Sequence, residues 1–243
     1  MGKRDLFALF AVVVSLAGAA LAQEPGPSQS DAPALREVRA TVEQAQKEIT
    51  AFREGGGKND DPTHPAVKWL AVLWDYRQKY PDSEASAIAT FEALHFLFHA
   101  GRGEEVLTRM DSLAFDDTAW DRLPSVLNEL ANEKKDTSLL TSRLERVLSQ
   151  STKAKNRAAA ALGMGRALRQ TDATRARALL ERAVKESPDS PAAREANNLI
   201  YEVANLSVGK PAPAFAAKAW KGEKVALEGY KNQALVLVFW AST

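Results

Sequence analysis

Apolar residues return every three or four positions in one segment after another between Leu35 and Leu206, with polar or glycine-rich breaks between segments. That spacing lines one face of an α-helix and does not suit strands, whose side chains change face at every residue. Leu35, Val38, Val42, Ala45, Ile49 and Phe52 make the first stripe, which Gly55-Gly56-Gly57 closes. Trp69, Leu70, Leu73, Trp74 and Tyr80 supply the second, over 66–80. Ala87, Phe91, Leu94 and Phe98 supply the third, over 84–100. The pattern predicts further helices at 103–113, 118–132, 137–150, 154–170, 174–187 and 191–205. Asp136, Asp172 and Ser190 stand where an N-cap oxygen would meet free backbone N–H groups, and Pro191 suits a first helical turn. The expected fold class is therefore mainly α.

The region 34–206 is expected to form one helical-repeat-like domain. Its later helices, joined in pairs by short turns, resemble tetratricopeptide units, whose repeat is about 34 residues. Ala178-Leu179-Leu180-Glu181-Arg182-Ala183-Val184, followed by Ser187-Pro188-Asp189, reads as the second helix of such a unit and its exit turn. Three clean copies do not align. An irregular stack of α-hairpins stays open as the other reading.

The chain's beginning has a different texture. Lys3 and Arg4 precede an apolar run from Leu6 to Leu21, and Ala20-Leu21-Ala22 precedes Gln23. A charged start, a short apolar stretch and a small-x-small site form the pattern of a secretory signal, expected here at 1–22 with cleavage after Ala22. The apolar run falls short of the roughly 20 residues that span a bilayer, so no stable membrane span is expected after cleavage. Residues 23–33, rich in Pro, Ser and Gln, read as a disordered linker. The expected location is periplasmic or secreted. That setting favours disulfides, yet the 243 residues include no cysteine.

After Leu206 the pattern changes again. Gly209-Lys210-Pro211-Ala212-Pro213 breaks the helix, and Phe215–Trp220 and Lys224–Leu227 flank a turn at Lys221-Gly222, which predicts a hairpin. Ala234–Ala241 is an unbroken apolar run, as required of a strand covered on both faces. The series Gly209, Ala212, Pro213, Phe215, then Gly222, Val225 and Leu227, then Tyr230 and Lys231, then Phe239, Trp240, Ala241 and Ser242 resembles the opening of thioredoxin-like redoxin domains. These are the TlpA-like thiol-disulfide oxidoreductases and the related alkyl hydroperoxide reductase and thiol-specific antioxidant peroxidases. Ala214, where an acidic residue is usual, and Asn232-Gln233, where Gly-Lys is usual, depart from the pattern.

The resemblance implies that residues 207–243 are the first part of an α/β thioredoxin-like domain, with no cofactor. It also implies that a Cys-x-x-Cys loop at a helix N-terminus would follow the Phe-Trp-Ala-Ser strand, since free N–H groups there lower a thiol's pKa. A proline in the cis form would face those cysteines. With Thr243 as the last residue, the expectation is of a truncated chain that lacks redox activity. The helical region is expected to bind proteins or position the redox domain. A non-catalytic helical interaction module is the alternative.

Other patterns carry weaker chemistry. Glu92, His95 and His99 share one helical face at i, i+3 and i+7, a spacing that could ligate zinc, but flanking Phe91, Phe96 and Phe98 favour ordinary helix-face histidines and no metal is expected. His64 sits in a distant loop. Nine Lys or Arg fall between Lys153 and Lys185 against two acids, read as a solvated helical face and not as a nucleic-acid surface. Trp69, Trp74 and Tyr76 are read as core. Overall charge is close to balanced, 32 basic against 31 acidic residues, which argues against an electrostatic polyanion binder.

Overall fold

A computed structural model describes residues 32–206, 209–218, 222–231, 233, 235 and 236. The expected signal segment 1–22 and almost all of the expected linker lie outside the described residues. Two units are distinguished, the larger within 27–204 and the smaller holding the described residues from Asn205 on.

The regular structure in the described part of the larger unit is all helical. Its helices are α1 (Ala32–Glu54), α2 (Pro65–Lys79), α3 (Glu84–His99), α4 (Gly103–Asp111), a 3-10 turn (Thr118–Asp121), α5 (Pro124–Lys134), α6 (Thr137–Gln150), α7 (Ala154–Leu168), α8 (Ala173–Glu186) and α9 (Pro191–Asn205). Helix α1 starts at Ala32, so Ala32 and Pro33 belong to its first turn and not to a linker. The stripes named above become the core: Leu35, Val38, Val42 and Ile49 of α1 are buried, as are Leu70 and Leu73 of α2 and Leu94 and Leu97 of α3. Asp136 accepts from the Ser138 N–H, Asp172 from Arg175 and Ser190 from Ala193. The helix expected over 118–132 is instead a 3-10 turn followed by α5. Pro124 has no N–H to continue the ladder across that point and becomes the first residue of the new helix.

Much of the packing is between helices adjacent in the chain, α1 on α2, α2 on α3, α5 on α6, α6 on α7 and α7 on α8, while α1 also meets α3, α5 meets α7 and the 3-10 turn meets both α3 and α7. Of these, α7 is pressed from both sides. A Cβ on Gly163 would stand 2.7 Å from Pro124 Cβ and 2.9 Å from Leu144 Cδ1, and one on Gly165 would stand 2.9 Å from the Leu180 side chain. Small residues let helix axes approach closely there, and Ala158, Ala159, Ala160 and Ala161, which point to different sides of α7, are all buried.

Polar groups fasten the loops to this stack. The Asp116 carboxylate accepts hydrogen bonds from the Ser151 and Thr152 hydroxyls, at 2.8 Å each, and from the Thr152 N–H at 2.6 Å. Those donors, the Thr152 hydroxyl first, hold its carboxyl down from 3.8 to about 2. A depressed carboxylate stabilises the fold above the unfolded pKa and loses that contribution as pH falls through the folded one. Urea melts of the wild type and Asp116→Asn should therefore differ most at about pH 5, and the gap should close between pH 3.8 and about 2. An equal gap at both ends of that range would assign the loop's attachment to something other than the charge.

The described part of the smaller unit is a two-stranded antiparallel hairpin, β1 (Ala216–Lys218) and β2 (Lys224–Ala226), followed by a 3-10 turn (Leu227–Tyr230). Ala216 faces Ala226, Ala217 faces Val225 and Lys218 faces Lys224. The Leu227 N–H donates to the Phe215 carbonyl and extends the ladder.

Candidate functional site

The two sets of residues singled out in the sequence fall in different units. In the smaller unit, Gly209 and Gly222 both have positive φ, +86° and +87°. That conformation is open to glycine and strained for other residues, so both motif glycines occupy positions that need them. Phe215, Val225 and Leu227 are half-buried, Ala212 is exposed and Pro213 is half-buried. Of the expected strand Ala234–Ala241, only Leu235 and Val236 are described and neither is in a strand. Phe239, Trp240, Ala241 and Ser242 lie outside the described residues. The described motif residues are structural and carry no acid, base or nucleophile in a chemical arrangement.

In the larger unit, α3 carries the other candidate. His95 and His99 are one turn apart, and their Nε2 atoms lie 2.9 Å from each other in a hydrogen bond. Glu92 does not join them. Glu129 of α5 does, its Oε2 lying 3.8 Å from each histidine Nε2. The three side chains offer ligand atoms within 4.8 Å of one another. Phe91 stacks on the His95 ring at 5.5 Å between centroids, and Phe98 lies 5.0 Å from the His99 ring. Burial, and next the neighbouring His99, hold the His95 imidazole below its ordinary pKa, with Glu129 opposing. Burial pushes the Glu92 carboxyl up, with Arg122 opposing. Reading one helix face found the two histidines but not Glu129, because only the packing of α3 on α5 brings it in.

The remaining candidates have internal partners. Trp69 is buried with its Nε1–H on Glu48, and Tyr76 is buried with its hydroxyl on Glu37. Trp74, expected in the core, is only half-buried, with the guanidinium groups of Arg77 and Arg109 at 5.0 and 5.3 Å from its ring centroid. His64 is buried as the N-cap of α2, its Nδ1 accepting from the Ala66 N–H and its ring edge-to-face with Phe52. In the basic stretch, acids elsewhere on the chain pair with Lys153, Arg157, Arg166, Arg169 and Arg175, while Arg177 and Arg182 pair within α8. A cleft of about 260 Å³ beside Asp121, Asn128 and Gly163 contains Arg122 and Arg166, which pair with Glu84 and Glu195. No described helix is long and apolar enough to cross a membrane.

Comparison with family models, with curated proteins and with solved structures finds no match in any of the three.

Proposed function

We propose that this chain belongs to an exported thioredoxin-like thiol-disulfide oxidoreductase, whose helical unit binds protein partners or positions the redox domain. The observation that carries the reading is the ordered series Gly209, Ala212, Pro213 and Phe215 leading directly into the β1–β2 hairpin, which turns through left-handed Gly222. The charged start and apolar run of residues 1–22 support export, and the close packing of α7 on α8 supports a tetratricopeptide-like helix pair. A polypeptide of these 243 residues holds no cysteine and so supplies no thiolate of its own.

The second reading, a non-catalytic extracytoplasmic interaction module, is favoured by the well-formed core of the helical unit, which stands without any redox group. Sequencing the gene beyond codon 243 separates the two. The oxidoreductase reading requires a Cys-x-x-Cys, or one peroxidatic-type Cys, within the next few codons. An in-frame stop there, with a soluble and long-lived product in the periplasm, would leave the interaction module.

A further inference from the structure

We propose that His95 and His99 of α3 and Glu129 of α5 form a binding site for one divalent transition ion of the zinc class, linking the two helices. The argument rests on where three atoms stand. With the two Nε2 atoms 2.9 Å apart and Glu129 Oε2 3.8 Å from each, the point equidistant from all three lies about 2.1 Å from every one, which is the zinc–imidazole and zinc–carboxylate bond length. An ion there needs no backbone movement.

The donor set also selects the ion. Two imidazoles and one carboxylate suit zinc, nickel or copper and not magnesium or calcium, which take oxygen ligands. Among the described residues, no lysine or arginine pairs with Glu129, so its charge is not already neutralised by a cation of the chain. Phe91 stacks on the His95 ring and the Phe98 ring lies against that of His99, contacts that limit the rotation of both imidazoles. In the metal-free chain one imidazole donates its Nε2–H to the other. Binding an ion shifts that proton by way of solvent from Nε2 to Nδ1 of the same ring, with no net release, so that both Nε2 lone pairs are free for the ion. The side chains of His99 and Glu129 are 45% and 42% exposed, so water reaches the ion and completes its coordination. Three protein ligands with an open position is a form that also admits an exogenous ligand.

The test uses the full chain without a histidine tag, freed of metal by a chelator and titrated with Zn²⁺ against a chromophoric competitor. One ion per chain is expected, with a Kd of about 1 μM or tighter, and Mg²⁺ in large excess should not compete. His99→Ala should weaken binding by about 100-fold and Glu129→Gln by about 10-fold. Both side chains are well exposed, so helix content measured by circular dichroism should stay at the wild-type level. The double variant His95→Ala/His99→Ala leaves the buried His64 as the sole imidazole of the 243 residues. Failure of the wild type to bind zinc stoichiometrically overturns the proposal. So does undiminished binding by folded His99→Ala.

Discussion

Replacing Asp117 with alanine should destabilise the helical unit by about 3 kcal/mol, a large effect for one residue in a connecting segment. Asp117 lies between α4 and the 3-10 turn and joins three elements. Its Oδ2 accepts from Arg77 of α2 at 2.5 Å, and its Oδ1 caps the 3-10 turn through the Ala119 N–H. Its carbonyl accepts from the Asn156 side chain of α7 at 2.8 Å. Only 12% of the Asp117 side chain and 22% of the Arg77 side chain are exposed, so removing the carboxylate leaves a guanidinium largely out of water with no counter-charge. Losing the cap adds about 1 kcal/mol, and the remaining solvent access at Arg77 keeps the charge contribution nearer 2 than 4. Asp117→Asn keeps an oxygen for the cap and should cost about half as much. Chemical denaturation of wild type, Asp117→Ala, Arg77→Met and the double variant measures the pair directly. A coupling energy near zero would mean that the cap alone accounts for the loss.

Gly163→Val should be at least as damaging, at about 3 kcal/mol. Valine forms helices better than glycine, so on local grounds the substitution would be mildly favourable. Packing reverses that expectation. The Cβ alone would stand 2.7 Å from Pro124 Cβ, which belongs to a rigid ring at the start of α5 and cannot swing aside. The two further methyl groups would push α7 away from α5 and α6, breaking the contact from Asn128 Nδ2 to the Gly163 carbonyl. Gly163→Ala should cost about 1–2 kcal/mol, the overlap outweighing alanine's propensity gain of about 1 kcal/mol. Gly165→Ala should cost less, since its nearest neighbours are Leu180 side-chain atoms that can turn away. Thermal denaturation ranks the three. An order with Gly165→Ala worst would place the tighter crossing at α8.

How much of this was legible follows from the range of the forces involved. The stripe from Leu35 to Phe52 and the caps Asp136, Asp172 and Ser190 depend on neighbours within one or two turns, and a linear reading captures them. Pro124 was equally local, but the apolar spacing across 118–132 masked the break it makes. The close crossing at Gly163 was not legible, because a glycine inside an Ala-rich helix gives no sign of which partner will press on it. Glu129 was hidden for the same reason: it meets His95 and His99 only after the 3-10 turn and Pro124 have set the direction of α5. Glu92, chosen because it shared their helix face, is instead half-buried at a distance from both Nε2 atoms. The hairpin around Gly222 was legible because a turn glycine and its two flanking strands are contiguous.

The packing of α1 on α2, α2 on α3 and α7 on α8, all neighbours in the chain, has a kinetic consequence. Contacts between segments close in sequence need little loop closure, so such a stack is expected to assemble faster than a sheet of distant strands. A newly emerged chain could complete α1 to α3 before α7 is made, and so conceal its leucine and tryptophan side chains early. A domain built around a parallel sheet must wait for distant strands before any of them is covered. The helical unit would thus bury its core without waiting for the residues of the smaller unit.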